Sequence, residues 1–292
     1  MNIGVISNND KDRDFRYTGI LIGSIIKKGG TALFSDEISE GLKFKKNNVS
    51  EMDVFNNSDI IICIGGDGTF LQVAREVYDK GIPLLGINLG NLGFLTEIDK
   101  NDIDAAVEKI LSNKFDVEER MMLEVTVTSR KNRIINDIAL NDVVISRASL
   151  SRILHLKTYI NDSYIDSFPG DGLIVSSPTG STAYSLSAGG PIVEPDTELI
   201  IVTPICPHIL YSRSYITTAN RIVKVTLDES YSHEAMITVD GQRGYAILGG
   251  DVVEIRKASQ SVKIIRVNPR NFFNVLHTKI FERGEGLRKN EI

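Results

Sequence analysis

The chain has 292 residues, 42% of them hydrophobic and 24% charged, a composition that folds and leaves no long segment too polar to bury a core. Its formal net charge is -5, with Lys and Arg scattered among acids instead of gathered into a stripe, which excludes nucleic acid as an expected partner. No apolar run approaches the roughly 20 residues that span a bilayer, and the start, MNIGVIS, lacks a basic region followed by an apolar stretch and a cleavage site, so a cytoplasmic protein with no membrane partner is expected.

The length suits two domains, each with its own core. The first part alternates strand and helix: NIGVIS (2–7), a helix over 13–28 ending at Gly29-Gly30, TALF, DIIICI (59–64), a helix over 69–79, IPLLGIN (82–88), and a helix over 101–113 with Ile103, Ala106, Val107, Ile110 and Leu111 on one face. That rhythm predicts a parallel α/β sheet over 1–118. From 119 to 270 short β-rich runs separated by turn residues predict a predominantly β second domain, and the tail 271–292, NFFNVLHTKIFERGEGLRKNEI, is expected to pack back onto the first. Cys63 and Cys206 lie far apart in apolar, strand-like runs, where thiols behave as small hydrophobes, and the four histidines show no ligand spacing. Neither a disulfide nor a zinc site is expected.

Two stretches stand out as chemistry. IICIGGDGTFL (61–71) puts Gly65, Gly66, Asp67 and Gly68 directly after a buried-looking strand, where ligands of open parallel sheets collect. Glycines there let backbone N–H groups approach an anion, and the following helix presents its positive end to phosphate. A carboxylate beside phosphates repels them unless it binds a metal, takes a proton or orients a hydroxyl, so Asp67 points to transfer chemistry; a plain helix cap is the alternative. There is no GxxxxGK[ST], and Gly86, Gly90 and Gly93 do not make GxGxxG, which disfavours P-loop enzymes and Rossmann dehydrogenases. The second stretch, GDGLIVSSPTGSTAYSLSAGGP (170–191), leads into a predicted helix start at Ser181 or Thr182. Hydroxyls of Ser181, Thr182, Tyr184, Ser185 and Ser187 suit a sugar or base, against the plainer reading of a cap and a turn. Between the two, ALNDVVISR sets Asn141 beside Asp142. An Asn suits an adenine edge and an Asp accepts from ribose hydroxyls, while a turn between strands is the alternative.

Taken together, GGDGTFL (65–71), GINLGNLGFLTE (86–97), LNDVVI (140–145), the serine-rich stretch 170–191 and DGQ (240–242) resemble the NAD kinases, in the right order over nearly the whole chain. GGDGT is shared with diacylglycerol and sphingosine kinases and, in a close variant, phosphofructokinases; the serine-rich stretch decides. The resemblance implies phosphorylation of NAD on the 2'-hydroxyl of its adenosine ribose, with ATP or inorganic polyphosphate as donor and a divalent metal, usually Mg2+. It implies that Asp67 is the proton acceptor with Gly68 beside the ligand, and that Asn141 and Asp142 contact adenine and ribose. It makes Arg152 a basic nucleotide contact, Asp171 the acid near the nicotinamide half, Thr182, Ala183, Tyr184, Ser185, Leu186 and Ser187 the adenine-side loop, and Gln242 the glutamine of DGQ. Gln72 stands where many members carry a base, Asp142 where others have Glu, and Thr179 at a position that is often small and variable.

An Asp with an ordinary pKa of about 3.9 does not fully deprotonate a ribose hydroxyl before attack, so Asp67 is expected to orient the hydroxyl and take its proton late. A lipid kinase sharing GGDGT is the competing reading, and a non-catalytic nucleotide sensor the third. The apolar character of the β domain and the resemblance both imply a homodimer or homotetramer.

Overall fold

The computed structural model of the chain describes residues 1–44, 49–90, 93–130, 133–148, 153–268 and 271–279. Two compact units emerge from its contacts. The first comprises Met1–Phe70, Ile82–Glu118 and the chain from Ile264 on; the second comprises Leu71–Gly81 and Glu119–Lys263.

In the first unit the strands are β1 (Asn2–Ser7), β2 (Thr31–Leu33), β3 (Ile60–Gly65), β4 (Leu84–Asn88) and β5 (Ile98–Asp99). The helices are α1 (Arg16–Lys27), α2 (Asp36–Gly41), α3 (Glu51–Asn57), the start of α4 (Asp67–Val77) and α5 (Ile103–Leu111). All pairings of β1 to β5 are parallel, in the order β4-β3-β1-β2 with β5 on β4. β3 and β4 are buried at every residue, as near-continuous Ile and Leu runs dictate for strands covered on both faces. Leu21, Ile22 and Ile25 of α1 and Ile103, Ala106, Val107 and Ile110 of α5 pack on Ile3, Val5, Ile62, Ile64, Leu85 and Ile87. Helical periodicity thus seats two helices on the sheet. Neither α2 nor α3 is among the elements expected from periodicity; α3 is only seven residues long and is opened by a capping box of Ser50 and Asp53.

The strand numbering reverses direction at β1: the chain steps out to β2 on one side and returns to β3 on the other. The carboxyl ends of β1, β3 and β4 therefore share one edge, with residues 8–12, 66 and 89–90 following directly on the three strands, and the described part of the third loop resumes at Gly93. Phe94 of the third loop lies 6.4 Å, ring to ring, from Phe272 in a helix over 272–279, and the ammonium of Lys279 stands 4.2 Å from the centre of the Phe94 ring. Residues 280–292 of the expected tail lie outside the described residues.

The second unit is two antiparallel layers. One contains most of β6 (Asp116–Thr128), β7 (Ile134–Ala139), and later β9 (Leu154–Ile160), β10 (Ser163–Gly170), β14 (Val223–Leu227) and most of β17 (Val252–Arg266). The other runs β13-β12-β11-β8-β15-β16, made of β8 (Asp142–Arg147), β11 (Gly172–Ser176), β12 (Leu199–Ile205), β13 (Tyr215–Thr218), β15 (Ala235–Val239) and β16 (Arg243–Ile247). Alternate residues of β9, β14 and β15 are buried. Leu154, Leu156, Val223, Val225, Val253 and Ile255 from one layer meet Val143, Ile145, Leu173, Val175, Ile237 and Val239 from the other.

Two local expectations are corrected. The helix expected to start at Ser181 or Thr182 is a 3-10 turn, Thr179–Thr182, followed by a single α turn, α6 (Tyr184–Ser187), with the break at Ala183 (φ -100°, ψ -130°). Cys206 is not a buried strand residue: it follows β12 with φ 42° and is exposed. Cys63 is buried in β3, which pushes its thiol up to about 12.

Candidate functional site

Helix α4 begins two residues earlier than expected, so Asp67 is its first residue. An acid in that position faces the positive end of the helix dipole. Its carboxylate is neither a local cap nor free. Oδ2 accepts the backbone N–H of Phe94 (2.8 Å), and Oδ1 accepts those of Leu95 and Thr96 (both 3.1 Å) and pairs with the Thr96 hydroxyl at 3.2 Å. The chain approaches this closely because residue 93 is glycine: a Cβ there would collide with Asp67 Oδ1 and Thr96 Oγ1. Gly68, by contrast, faces open space. Residue-by-residue reasoning missed this anchoring loop, although its glycines are visible in GINLGNLGF.

In the second unit the run INDIALNDVVIS breaks at Leu140 and Asn141 into β7 and β8, so Asn141 lies in a bend and Asp142 opens β8. The alternative of a turn between strands is the one realised. What fixes the turn is Asp240, whose carboxylate accepts the N–H groups of Leu140 (2.8 Å), Asn141 (2.7 Å) and Asp142 (3.1 Å). Asp240 has φ 50° and precedes Gly241 with φ 66°, a tight hairpin corner between β15 and β16. Behind it, the buried Arg75 of α4 pairs with Asp137 and stands 4.0 Å from Asp240 Oδ2. The Tyr245 hydroxyl donates to the other Asp137 oxygen at 2.7 Å. Arg75, Asp137 and Asp240 were not among the expected site residues. The acid of DGQ was in view, but its partner amides lie about a hundred residues away in the chain.

The serine-rich stretch joins the same turn from the other side. The Ser177 hydroxyl donates to Leu140 O (2.5 Å), Ser176 donates to Asn141 O (3.2 Å), and Ser177 N–H donates to Asn141 O (2.9 Å). Thr179 is buried, with the Arg120 guanidinium 3.5 Å from its hydroxyl. Not every expected hydroxyl is free for a ligand: Ser181 bonds to Val193 O and Ser185 to Thr203, both inside the fold, and Thr182 bonds to Thr179 O. Tyr184 and Ser187 are exposed and Ala183 and Leu186 half-buried. Asp171 pairs with Arg147 at 3.2 Å; Gln242 is exposed in the β15–β16 turn, and Gln72 is exposed on α4. Arg152 lies outside the described residues.

Burial, with the charge of Asp240 as second cause, pushes the Asp142 carboxyl up to about 7. Burial also raises Asp240, against the pull of its three backbone donors and Arg75. Among the described residues no cluster of three or more His, Cys, Asp or Glu is arranged to hold a metal ion. Among the described residues Asp67 Oδ2 accepts one hydrogen bond, from Phe94 N–H, and keeps capacity for another partner.

Comparison with known proteins bears on these arrangements. The ATP-NAD kinase N-terminal domain family matches residues 4–115, and the ATP-NAD kinase C-terminal domain family matches residues 140–267. The chain is 57% identical over 288 residues to an NAD kinase of Acetivibrio thermocellus, covering 99% of this chain and 100% of that one. It is 52% identical over 285 residues to an NAD kinase of Ruminiclostridium cellulolyticum, covering 97% and 99%. Its fold is similar to that of yeast NADH kinase complexed with NADH (TM-score 0.85, 23% identity, 95% of this chain and 86% of that one). It is also similar to an NAD kinase from Archaeoglobus fulgidus in complex with ATP (TM-score 0.74, 22% identity, 96% and 98%).

The Asp142 environment has a stability signature. Folded, the carboxyl keeps its proton up to about 7; unfolded, it releases it near its ordinary 3.8, so folding takes up a proton in between and stability falls as pH rises through that window. Asp142→Asn removes this loss. The melting temperature of the variant minus that of the wild type, measured by circular dichroism, is therefore expected to be more positive at pH 8 than at pH 5; a difference independent of pH would contradict the assignment.

Proposed function

The chain belongs to the ATP-NAD kinase family, and from that premise we propose how its residues perform the reaction. The protein is a phosphotransferase that moves a phosphoryl group to the 2'-hydroxyl of the adenosine ribose of NAD, giving NADP. The lipid-kinase alternative is dropped, because the matched families and relatives are NAD kinases.

One observation carries the reading of the transfer step: the Asp67 carboxylate is held rigidly at the start of α4, outside the carboxyl end of β3, with Oδ1 saturated and Oδ2 open to one more partner. Phosphoryl transfer is mostly positioning and charge neutralisation. Asp67 Oδ2 accepts the hydrogen bond of the 2'-hydroxyl, aims its oxygen at the donor phosphorus, and takes the proton as the new P–O bond forms and the bond to the leaving phosphate breaks. The backbone grip keeps the carboxylate from rotating, so the geometry is paid for in folding rather than at each turnover. Asn141 and Asp142 contact adenine and ribose from a turn that Asp240 and Ser177 clamp. Gly68, Thr179 and the residues Thr182 to Ser187 line the nucleotide, with Gln72, Arg152, Asp171 and Gln242 as further contacts.

ATP is the donor in this reading, with polyphosphate as a second donor to test. With no carboxylate cluster among the described residues, a Mg2+ would be carried mainly by the donor phosphates and not by a protein cage, and would there neutralise phosphate charge. The reading includes a cytoplasmic location; no helix among the described residues is long and apolar enough to cross a membrane. It also includes a homodimer or homotetramer, supported by Leu210 and Tyr211, which are 92% and 86% exposed in the segment between β12 and β13.

Three measurements test these points. In a coupled assay with ATP, Mg2+ and NAD, read by an NADP-specific dehydrogenase, Asp67→Asn is expected to lower turnover by about 10²- to 10⁴-fold with NAD affinity within several-fold. Near-normal turnover would exclude the role, and rescue by excess Mg2+ would move Asp67 to the metal. The same variant is expected to melt lower, since an amide group cannot accept from all three backbone donors and leaving one unmade costs about 1–3 kcal/mol. For the assembly, light scattering should find two or four copies of the wild type and fewer of the double variant Leu210→Glu, Tyr211→Ser; a monomeric wild type would end the oligomer proposal.

A further inference from the structure

The kinase reading leaves one charge unaccounted for. Even with Mg2+ on its phosphates, a nucleoside triphosphate brings net negative charge to a turn that already holds the Asp67 carboxylate, and like charges there repel unless a further cation stands nearby. The first two turns of α4, DGTFLQVA, contain no base, and the Arg75 guanidinium that follows is buried against Asp137. Backbone N–H groups at the start of α4 supply only partial charge.

The cation comes from another loop of the same edge. Ligands of open parallel sheets lie outside the strand ends where the order reverses, which in the first unit is between β1 and β3. The loop after β1, residues 8–12, is tied to the end of β3 by Asn8 N–H donating to Ile64 O at 3.1 Å. Lys11 N–H donates within the loop to Asn8 O (3.0 Å) and to Asn8 Oδ1 (3.2 Å). Asp12, almost fully buried, closes the turn by accepting from Tyr17 N–H (2.9 Å), Thr18 N–H (2.8 Å) and the Thr18 hydroxyl (2.6 Å). The loop fixed this way carries Lys11 beside the turn after β3: Lys11 Nζ lies 2.9 Å from the point that a Cβ on Gly66 would occupy. Among the described residues no carboxylate is ion-paired with this ammonium, and the side chain reaches it from an exposed position.

We propose that Lys11 is a further catalytic residue of the transfer: its ammonium binds the terminal phosphates of the donor over the Gly65–Gly68 turn. The inference rests on the kinase reading. No proton passes through Lys11; its ammonium offsets the charge that builds on the leaving phosphate while the 2'-oxygen bonds to phosphorus. Gly66 has its part in this geometry, because a Cβ there would stand 2.9 Å from the ammonium and press it aside.

Three variants of the full chain test it. Lys11→Met keeps the length and removes the charge at an exposed position, so its melting temperature should match the wild type. Its kcat/KM for ATP is expected to fall by roughly 10- to 100-fold, the worth of a charged hydrogen bond to phosphate, while KM for NAD moves less than about twofold. ATP affinity by calorimetry should fall in parallel. Lys11→Arg should restore most of the loss, and Gly66→Ala, which keeps the charge but displaces it, should lower ATP affinity in the same sense. Wild-type ATP affinity and KM in Lys11→Met would overturn the proposal, as would equal losses for ATP and NAD. If the wild type makes no NADP, the kinase reading has failed, and the ATP calorimetry of wild type against Lys11→Met still decides the role of the lysine.

Discussion

A single carboxylate gripped by backbone is the constraint on which the rest of this protein turns. Asp67 accepts three successive N–H groups, those of Phe94, Leu95 and Thr96, and so ties the turn after β3 to the loop after β4. A charged acceptor makes each such bond stronger than a neutral one, and the start of α4 adds its own positive end. The consequence is a carboxylate with one defined direction left to it. An acid that must meet a hydroxyl in a single orientation gains more from that than from raised basicity, because phosphoryl transfer asks little of its base.

The second unit uses the same device. Asp240 accepts the N–H groups of Leu140, Asn141 and Asp142, and thereby fixes the turn that carries Asn141 and Asp142, the side chains proposed to read the nucleotide. Here the device has an electrostatic cost, since burial disfavours the charge of both Asp240 and Asp142, and the Asp240 charge makes Asp142 harder still to ionise. Arg75 offsets part of it through Asp137 and Asp240. Leaving Arg75 Nε and Nη2 without hydrogen-bond partners is the residual penalty. A third turn, closed by Asp12 accepting from Tyr17 and Thr18, holds the loop that carries Lys11. In each case an aspartate organises backbone, and the residues proposed to touch ligand stand next to the organised segment.

Much of the fold was legible because its signals are local. The Ile and Leu runs of β3 and β4 are buried strands, and the 3.6-residue spacing in α5 gives four of the five expected buried positions. The two-domain plan followed from the change in texture near residue 119. Short elements were less legible: α3 has only seven residues, and its Ser50–Asp53 box was the available sign. The serine-rich stretch promised a helix, but Ser181 and Ser185 bond to Val193 and Thr203 and hold the chain in two separate turns instead. Asp67, Asn141 and Asp142 stood out by their residue type in apolar surroundings. Their anchors did not, because nothing local in the sequence ties Asp67 to Phe94, or Asp240 to Asn141. Nor does anything local mark Arg75 as the partner of Asp137, which lies sixty-two residues further along the chain. Lys11 lies in a run of charged residues whose ordinary meaning is solvent exposure, and only the reversal of strand order at β1 brings it over Gly66.

The central claim is that the anchored carboxylate of Asp67 meets the ribose through its one open oxygen. A crystal structure with NAD bound tests it most directly. The account predicts Asp67 Oδ2 within hydrogen-bond distance of the 2'-hydroxyl while Oδ1 remains on the Leu95 and Thr96 amides. A ribose bound beyond reach of that oxygen, or a carboxylate that leaves its amides to make the contact, would contradict it.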